Sequence, residues 1–351
     1  MSNRESYPPA YRCVFNDGDS PATAEAEPVL IQDKDIDIPV IDLERLDKKI
    51  LREVCMEWGI FRLENHGVPL ALTSQVQEIS KSLLNLPYEN KRKLFDAVNS
   101  QITYFYGTPA LNQSGDALPT RAANVNVVEG FYVPISSLSK LPASSTSDDD
   151  AQQSKLSSFR VLMEEYGRHA ARIAKSLFEA IAQTLNLELS DDIRSAYLSE
   201  STGLLRVYRY PRISREAAGE ALGMEAHRDS SVISILKEDE SGGLEIMKGE
   251  EWFGIKPVAN TFIVNLGDIM QAISDDEYIS VKHRVKTKMN MTTERHSMGY
   301  FVLPERDFVI KSSKYKPFTY AEFEAQVKAD IQSVGSKIGL PRFNPNSPLF
   351  L

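Results

Sequence analysis

His227 and Asp229 stand two apart, His283 follows, and Arg295 and Ser297 come shortly after it. Two imidazoles and one carboxylate are the donor set that grips a ferrous ion on one face and leaves other positions open for chemistry. An arginine fork beside a hydroxyl suits one end of a dicarboxylic acid. Taken singly, these residues say little. His-x-Asp is common, a lone strand histidine is more often a satisfied core residue, and a lone arginine is more often a solvated charge. In this order, they describe the centre of an iron oxygenase that consumes 2-oxoglutarate.

Residues two apart on an extended strand project to the same side. His227 and Asp229 are therefore expected to share a face, with Arg228 turned away. His283 lies in Val281-Lys282-His283-Arg284-Val285, where the apolar residues and the imidazole share one parity and the basic residues take the other. Arg295, Ser297, Gly299 and Phe301 alternate in the same way ahead of Pro304. His296 then falls on the far side and is assigned no role. Short strands must aim all these groups into one cavity.

Strand signals dominate from about residue 204 to 303, with apolar runs separated by turns such as Glu240-Ser241-Gly242-Gly243 and Lys248-Gly249-Glu250. That rhythm suits a double-sheet jelly roll able to enclose a ligand. Helical periodicity marks residues 47–58, 70–86 (stopped by Pro87), 159–187 and 319–337. The third of these carries a stripe of Leu162, Tyr166, Ala170, Ile173, Leu177, Ile181 and Leu185. The expected fold is mainly β with flanking helices: a double-stranded β-helix core with N-terminal helical support. Along the chain, residues 1–36 read as a loose arm. Residues 37–200 read as a helical and mixed region with a Ser-rich surface loop at 136–158. The catalytic core is placed at 201–310 and a C-terminal helix and tail at 311–351, all forming one catalytic unit.

A chain of 351 residues with a net charge of −9 can bury a large core. Its acidity, with a sequence pI near 5.3, argues against nucleic acid or an anionic membrane as partner. Cys13 and Cys55 are too few and too far apart for a disulfide framework. The polar start lacks a signal-peptide core, and no apolar run reaches the roughly twenty residues of a membrane span. The cytoplasm is the expected compartment, and a small molecule the expected partner. His66 precedes a turn glycine and reads as structural, His169 reads as surface-exposed, and Asp148-Asp149-Asp150 reads as a solvated loop.

Further motifs carry a family resemblance over nearly the whole chain. They are Ile38-Pro39-Val40-Ile41-Asp42-Leu43, Trp58-Gly59-Ile60-Phe61-Arg62-Leu63-Glu64-Asn65-His66-Gly67-Val68 and Tyr208-Arg209-Tyr210-Pro211. Gly242-Gly243-Leu244-Glu245, Trp252, Lys256-Pro257-Val258, Asn265-Leu266-Gly267-Asp268 and Ser280-Val281-Lys282-His283-Arg284-Val285 complete the pattern. In this order they resemble the plant-type, soluble 2-oxoglutarate- and iron(II)-dependent dioxygenases. Leu244-Glu245-Ile246 and the segment from Asp268 to Ser274 are most similar to gibberellin-oxidase-like members.

The resemblance implies that His227, Asp229 and His283 bind iron(II). It implies that Arg295 pairs with the distal carboxylate of 2-oxoglutarate, with Ser297 and Tyr210 hydrogen-bonded to it. Oxygen is then consumed, succinate and carbon dioxide are released, and a small plant hormone or specialised metabolite is oxidised, by default hydroxylated. Ascorbate would serve as a reductant. Two other readings share the fold: an ascorbate-dependent oxidase, and a non-catalytic relative that binds a small molecule. The chain departs from the family at Arg228, where a small residue is usual, at Tyr208, where Asn is usual, and at Arg212-Ile213-Ser214, where the segment is Pro-rich. No metal ligand is lost. Inner parity places Ser231, Ile233 and Phe301 near the iron, and Tyr104 to Tyr106 and Asn124 to Tyr132, with Tyr104 and Tyr132 foremost, are expected to close the substrate pocket.

Overall fold

The structure is a computed structural model that describes residues 4–12, 34–96, 101–107, 126–142, 151–199, 203–211, 222–286 and 294–347. Two sheets carry the architecture. The larger has eight strands, in spatial order β1 (Val40–Asp42), β2 (Ile60–Glu64), β10 (Phe262–Leu266), β7 (Ile233–Glu238), β12 (Arg295–Val302), β5 (Gly203–Tyr210), β4 (Glu129–Pro134) and β3 (Thr103–Tyr106). The smaller has four, in the order β6 (Leu222–His227), β11 (His283–Lys286), β8 (Leu244–Lys248) and β9 (Glu251–Gly254). Strands from both halves of the chain pair within the larger sheet, so it is built as one unit.

Strand alternation splits the core into two layers. Phe61, Leu63, Val264, Ile235, Met298, Leu205, Val207 and Phe131 face the helices. Ile60, Ile263, Tyr208 and Tyr210 face the smaller sheet and meet its Leu244, Ile246 and Val285. The inner layer is the jelly-roll interior, and the functional residues open into it.

Helices cover the outer layer. α2 (Lys48–Glu57) begins where Asp47 accepts the backbone N–H groups of Lys49 and Ile50. α3 (Leu70–Leu84) and α2 both lean on the long α5 (Ala151–Thr184). The stripe expected on α5 is buried from Tyr166 to Ile181, with Leu162 and Leu185 at its half-buried margins. α8 (Tyr320–Val334) opens on a reciprocal Thr319–Glu322 capping box and stops at Gly335, whose φ of 80° suits only glycine well. Among the described residues, no helix is long and apolar enough to cross a membrane.

Two expectations about the first half are corrected. The arm at 1–36 is not loose where it is described: Tyr7 and, on α1 (Pro9–Arg12), Tyr11 are buried, and the Tyr11 hydroxyl donates to the carbonyl of Val128 at 2.8 Å. These two tyrosines supply an apolar anchor that its polar composition hid. The surface loop at 136–158 is regular where it is described, with a 3-10 turn over Ile135–Lys140 and α5 already under way at Ala151. Leu156 and Phe159 extend the buried stripe backward, and their burial outweighs the weak helix propensity of the serines between. Asp148-Asp149-Asp150 and Cys13 lie outside the described residues. Pro87 does end α3, but it also opens α4 (Tyr88–Lys93), where a residue with no N–H to donate is tolerated.

Candidate metal centre and co-substrate site

His227 is the last residue of β6 and His283 the first of β11, and the two are register partners across the smaller sheet. Asp229 lies in the connection between β6 and β7, not on a strand. Its Oδ1 is 3.5 Å from His227 Nε2 and 3.7 Å from His283 Nε2. The three donor atoms lie within 4.8 Å of one another, close enough to hold one metal ion.

Each donor is aimed from behind. The Nδ1 atoms of His227 and His283 sit 2.7 and 3.2 Å from the carbonyls of Glu225 and Val281, so Nδ1 carries the proton and Nε2 keeps its lone pair. Asp229 Oδ2 accepts the Ser234 hydroxyl at 2.6 Å and the Asn265 amide at 2.7 Å, leaving Oδ1 for a metal. Burial would raise the Asp229 carboxyl, but the two imidazoles and the Ser234 bond hold it well below its usual range. Burial, aided by His227, pushes His283 down to about 4, so it presents a neutral ring. The donor set and its protonation both suit a divalent transition metal.

The loop that carries Asp229 is pinned on two sides. Lys337 Nζ reaches the Arg228 carbonyl and the Ser230 hydroxyl at 2.8 Å each and the Asp268 carboxylate at 2.8 Å. Gly267 packs so closely that a Cβ there would fall 2.0 Å from the Ser231 carbonyl. Ser234 and Asn265 had no assigned role in the sequence, because their partner is reached only through this loop. Replacing either by Ala is expected to weaken metal binding about 10- to 100-fold. Cobalt(II) titration of the apo protein checks this, and an unchanged affinity would refute the orienting role.

A cationic cradle lies beside the triad. Arg295 is 1% exposed, donates to Ser297 Oγ at 3.0 Å and to the Gly242 carbonyl at 2.6 Å, and lies 4.7 Å over the Tyr210 ring. Tyr210 in turn is hydrogen-bonded to Ser297. Glu238 is a neighbour the sequence did not reveal: its Oε2 is 3.2 Å from Arg295, and its Oε1 is buried without a partner. Burial raises its carboxyl, and Arg295 and Arg62 only partly offset this.

The expected pocket residues separate. Phe301 and Tyr132 lie on the inner face with Tyr208 and Tyr210. Tyr104 does not: it faces the helices, bonded to Glu129 and packed on Phe131, and Phe105 is the β3 residue that turns inward, against Tyr208. Ile233 also packs into the helix-side core. The Ser231 hydroxyl is 1% exposed and bonds Ser234 at 2.7 Å, so it supports Asp229 and does not line the pocket. For Ser231 and Ile233 parity fails because residues 228–232 lie outside the strands, so alternation counted from His227 does not carry into β7. His66 is structural, as expected: its Nδ1 accepts the Val68 N–H, its Nε2 meets the Asn260 carbonyl, and its ring lies on Phe262. Asn124 and the Arg212-Ile213-Ser214 departure lie outside the described residues.

The family model of the 2OG-Fe(II) oxygenase superfamily matches residues 201–304, and that of the non-haem dioxygenase in morphine synthesis N-terminal region matches 38–157. Gibberellin 2-beta-dioxygenase 6 of Oryza sativa subsp. japonica is 31% identical over 330 residues, covering 89% of this chain and 86% of its own length. Jasmonate-induced oxygenase 1 of Arabidopsis thaliana is 31% identical over 313 residues, covering 84% of this chain and 73% of its own. Among solved structures, JOX2 in complex with 2OG, Fe and JA superposes with a TM-score of 0.69 at 24% identity, covering 91% of this chain and 93% of that one. The rice dioxygenase for auxin oxidation gives 0.67 at 23% identity, covering 88% and 100%. With the jelly-roll interior, the His-Asp-His triad and these matches in hand, the chain belongs to the 2-oxoglutarate- and iron(II)-dependent dioxygenases, oxidoreductases that take iron and 2-oxoglutarate.

Proposed function

We propose that this dioxygenase hydroxylates a small plant hormone or specialised metabolite, gibberellin-like in class, with release of succinate and carbon dioxide. His227, Asp229 and His283 hold the iron, and Arg295, Ser297 and Tyr210 receive the distal carboxylate of 2-oxoglutarate. The observation that carries the reading is a triad whose donor atoms lie within 4.8 Å of one another, in the same sheet sandwich as a buried arginine fork. Bound iron(II) couples oxidation of the keto acid to insertion of an oxygen atom into a substrate C–H bond. The protein's own part is placement: Arg295 and Ser297 orient the co-substrate, Tyr210 floors the cradle, and the inner apolar layer excludes water.

Relatives named for gibberellin and for jasmonate favour plant acids as first substrates to try. A gibberellin and jasmonic acid, then a plant extract, would be incubated with the iron-loaded enzyme, oxygen and 2-oxoglutarate. Substrate-dependent succinate release with a gain of one oxygen in the product is expected. Turnover without 2-oxoglutarate would favour the ascorbate-dependent chemistry instead.

Two predictions concern the cradle. Arg295→Lys replaces a bidentate fork by a point charge and is expected to raise the KM for 2-oxoglutarate about 10-fold or more, with succinate release as the readout. Glu238 is expected to make co-substrate binding depend on pH. Ionised, it competes with 2-oxoglutarate for Arg295; below its raised pKa it is neutral, so affinity should improve as pH falls toward that value. Glu238→Gln should tighten binding and flatten the pH profile, and a profile as steep as wild type would exclude Glu238 as the competitor.

A further inference from the structure

Lys337 follows the glycine that stops α8 by two residues. Its side chain is 12% exposed, and an ammonium has three N–H groups to satisfy. Three acceptors meet it at 2.8 Å each: the Arg228 carbonyl, the Ser230 hydroxyl and Asp268 Oδ2. A buried ion pair needs only the last of these. The other two come from the residues on either side of Asp229. Asp268 opens α7 (Asp268–Ile273), and its own backbone N–H donates to the Asp229 carbonyl at 2.8 Å. One ammonium therefore ties both neighbours of a metal ligand to the residue that holds the ligand's backbone.

The turn that delivers Lys337 is itself braced. Asp330, buried on α8, accepts the Ile338 N–H at 3.4 Å and the Arg342 Nε and Gln326 amide at 2.9 Å each. A Cβ at Gly339 would fall 2.7 Å from Asp268 Oδ2 and 3.2 Å from Lys337 Cε, so the turn presses against the ion pair. The ammonium also lies 5.3 Å over the Phe323 ring. On the facing side, residues 228–232 lie outside the strands, yet Asp229 must meet two imidazoles that the smaller sheet fixes. Ser234 and Asn265 orient its carboxylate, while α7 and Lys337 set the path of the backbone beneath it.

We propose that Lys337 is a positioning residue for the metal centre: the turn after α8, by docking on the Asp229 loop, tightens metal binding, and bound metal in return holds that turn in place. This deepens the proposed function and rests on it for the identity of the metal ligands. Such coupling is reciprocal, so the two effects have the same size. Charge alone predicts the opposite. An ammonium beside the site repels a dication, so its removal would tighten metal binding if placement of the loop did not outweigh repulsion.

Cobalt(II) titration of the apo protein, followed by visible absorption, gives the first test. Lys337→Met keeps the length of the stem and removes the three donors. It is expected to bind cobalt about 10- to 100-fold more weakly than wild type, with Lys337→Arg restoring part of the loss. Melting curves show whether each variant is folded, and hydrogen exchange on the wild-type protein needs no variant. Cobalt is expected to slow exchange at the Gly335 and Ile338 amides by a similar factor, and at the Thr319–Glu322 cap on the other end of α8 much less. Tighter or unchanged cobalt binding by folded Lys337→Met, or exchange slowed equally at both ends of α8, would overturn the coupling and leave the metal assignment standing. A wild-type protein that takes up no cobalt, or binds it as well after Asp229→Ala, would overturn the metal assignment and this inference with it.

Discussion

Asp229→Ala is expected to leave a folded protein that releases no succinate above background. The change removes the one anionic donor from the triad and leaves two imidazoles facing each other at 4.3 Å between ring centres. Its effect on metal binding should exceed the roughly 10- to 100-fold cost of losing a single supporting hydrogen bond. The substitution also strands the buried Ser234 hydroxyl and Asn265 amide, at about 1–3 kcal/mol for each donor left unmet. Asp229→Asn separates these effects. Its amide oxygen can accept both donors, so it should melt near wild type, yet it brings no charge to the metal and should be equally inactive. Metal content by mass spectrometry and succinate release give the two readouts. Sustained turnover in either variant would remove the triad from the mechanism.

Glu129→Ala is expected to cost about 3–5 kcal/mol of stability, the penalty for breaking a buried ion pair from one side. Glu129 is fully buried between Lys91 Nζ at 2.5 Å and Arg209 Nε at 2.7 Å, and the Tyr104 hydroxyl donates to it as well. Arg209 also lies 4.2 Å over the Tyr7 ring and contacts Ser6, so the cluster fastens the first residues to β4 and β5. Burial holds Lys91 down to about 8 even with Glu129 beside it, so without the carboxylate the cation is held still less well. Glu129→Gln keeps the shape and one acceptor and should cost less. Urea unfolding of both variants checks this. Wild-type stability in Glu129→Ala would show that the cluster is solvated and the amino-terminal segment is not fastened there. The metal triad lies on the other face of the sheet, so the metal content of folded Glu129→Ala protein should match wild type.

The family and its chemistry were legible because they depend on residue types in a fixed order. An imidazole, a carboxylate, an arginine fork and their strand contexts can be read without coordinates, and the periodicity of α2, α3, α5 and α8 was sufficient to place the helical layer. Where strands run unbroken, alternation also sorted the faces correctly: Arg295, Ser297 and Phe301 do share the interior with Tyr210.

What the sequence alone could not supply is whatever depends on where a strand stops or on what covers an exposed-looking face. Ile233 was assigned inward because alternation was counted through residues 228–232, which lie outside the strands. Tyr104 and Phe105 differ by one position, and only the pairing of Phe105 with Gly130 decides which of them turns inward. Lys91, Glu129 and Arg209 are charged residues far apart in the chain that composition would leave in water. They are buried because Tyr7 and Ser6 come back over the sheet. Residue chemistry thus determined what reaction this protein performs. The three-dimensional path of the backbone decided which guanidinium is buried against which carboxylate, Arg209 against Glu129 and Arg295 against Glu238, because burial and pairing are properties of neighbours that the order of residues does not list.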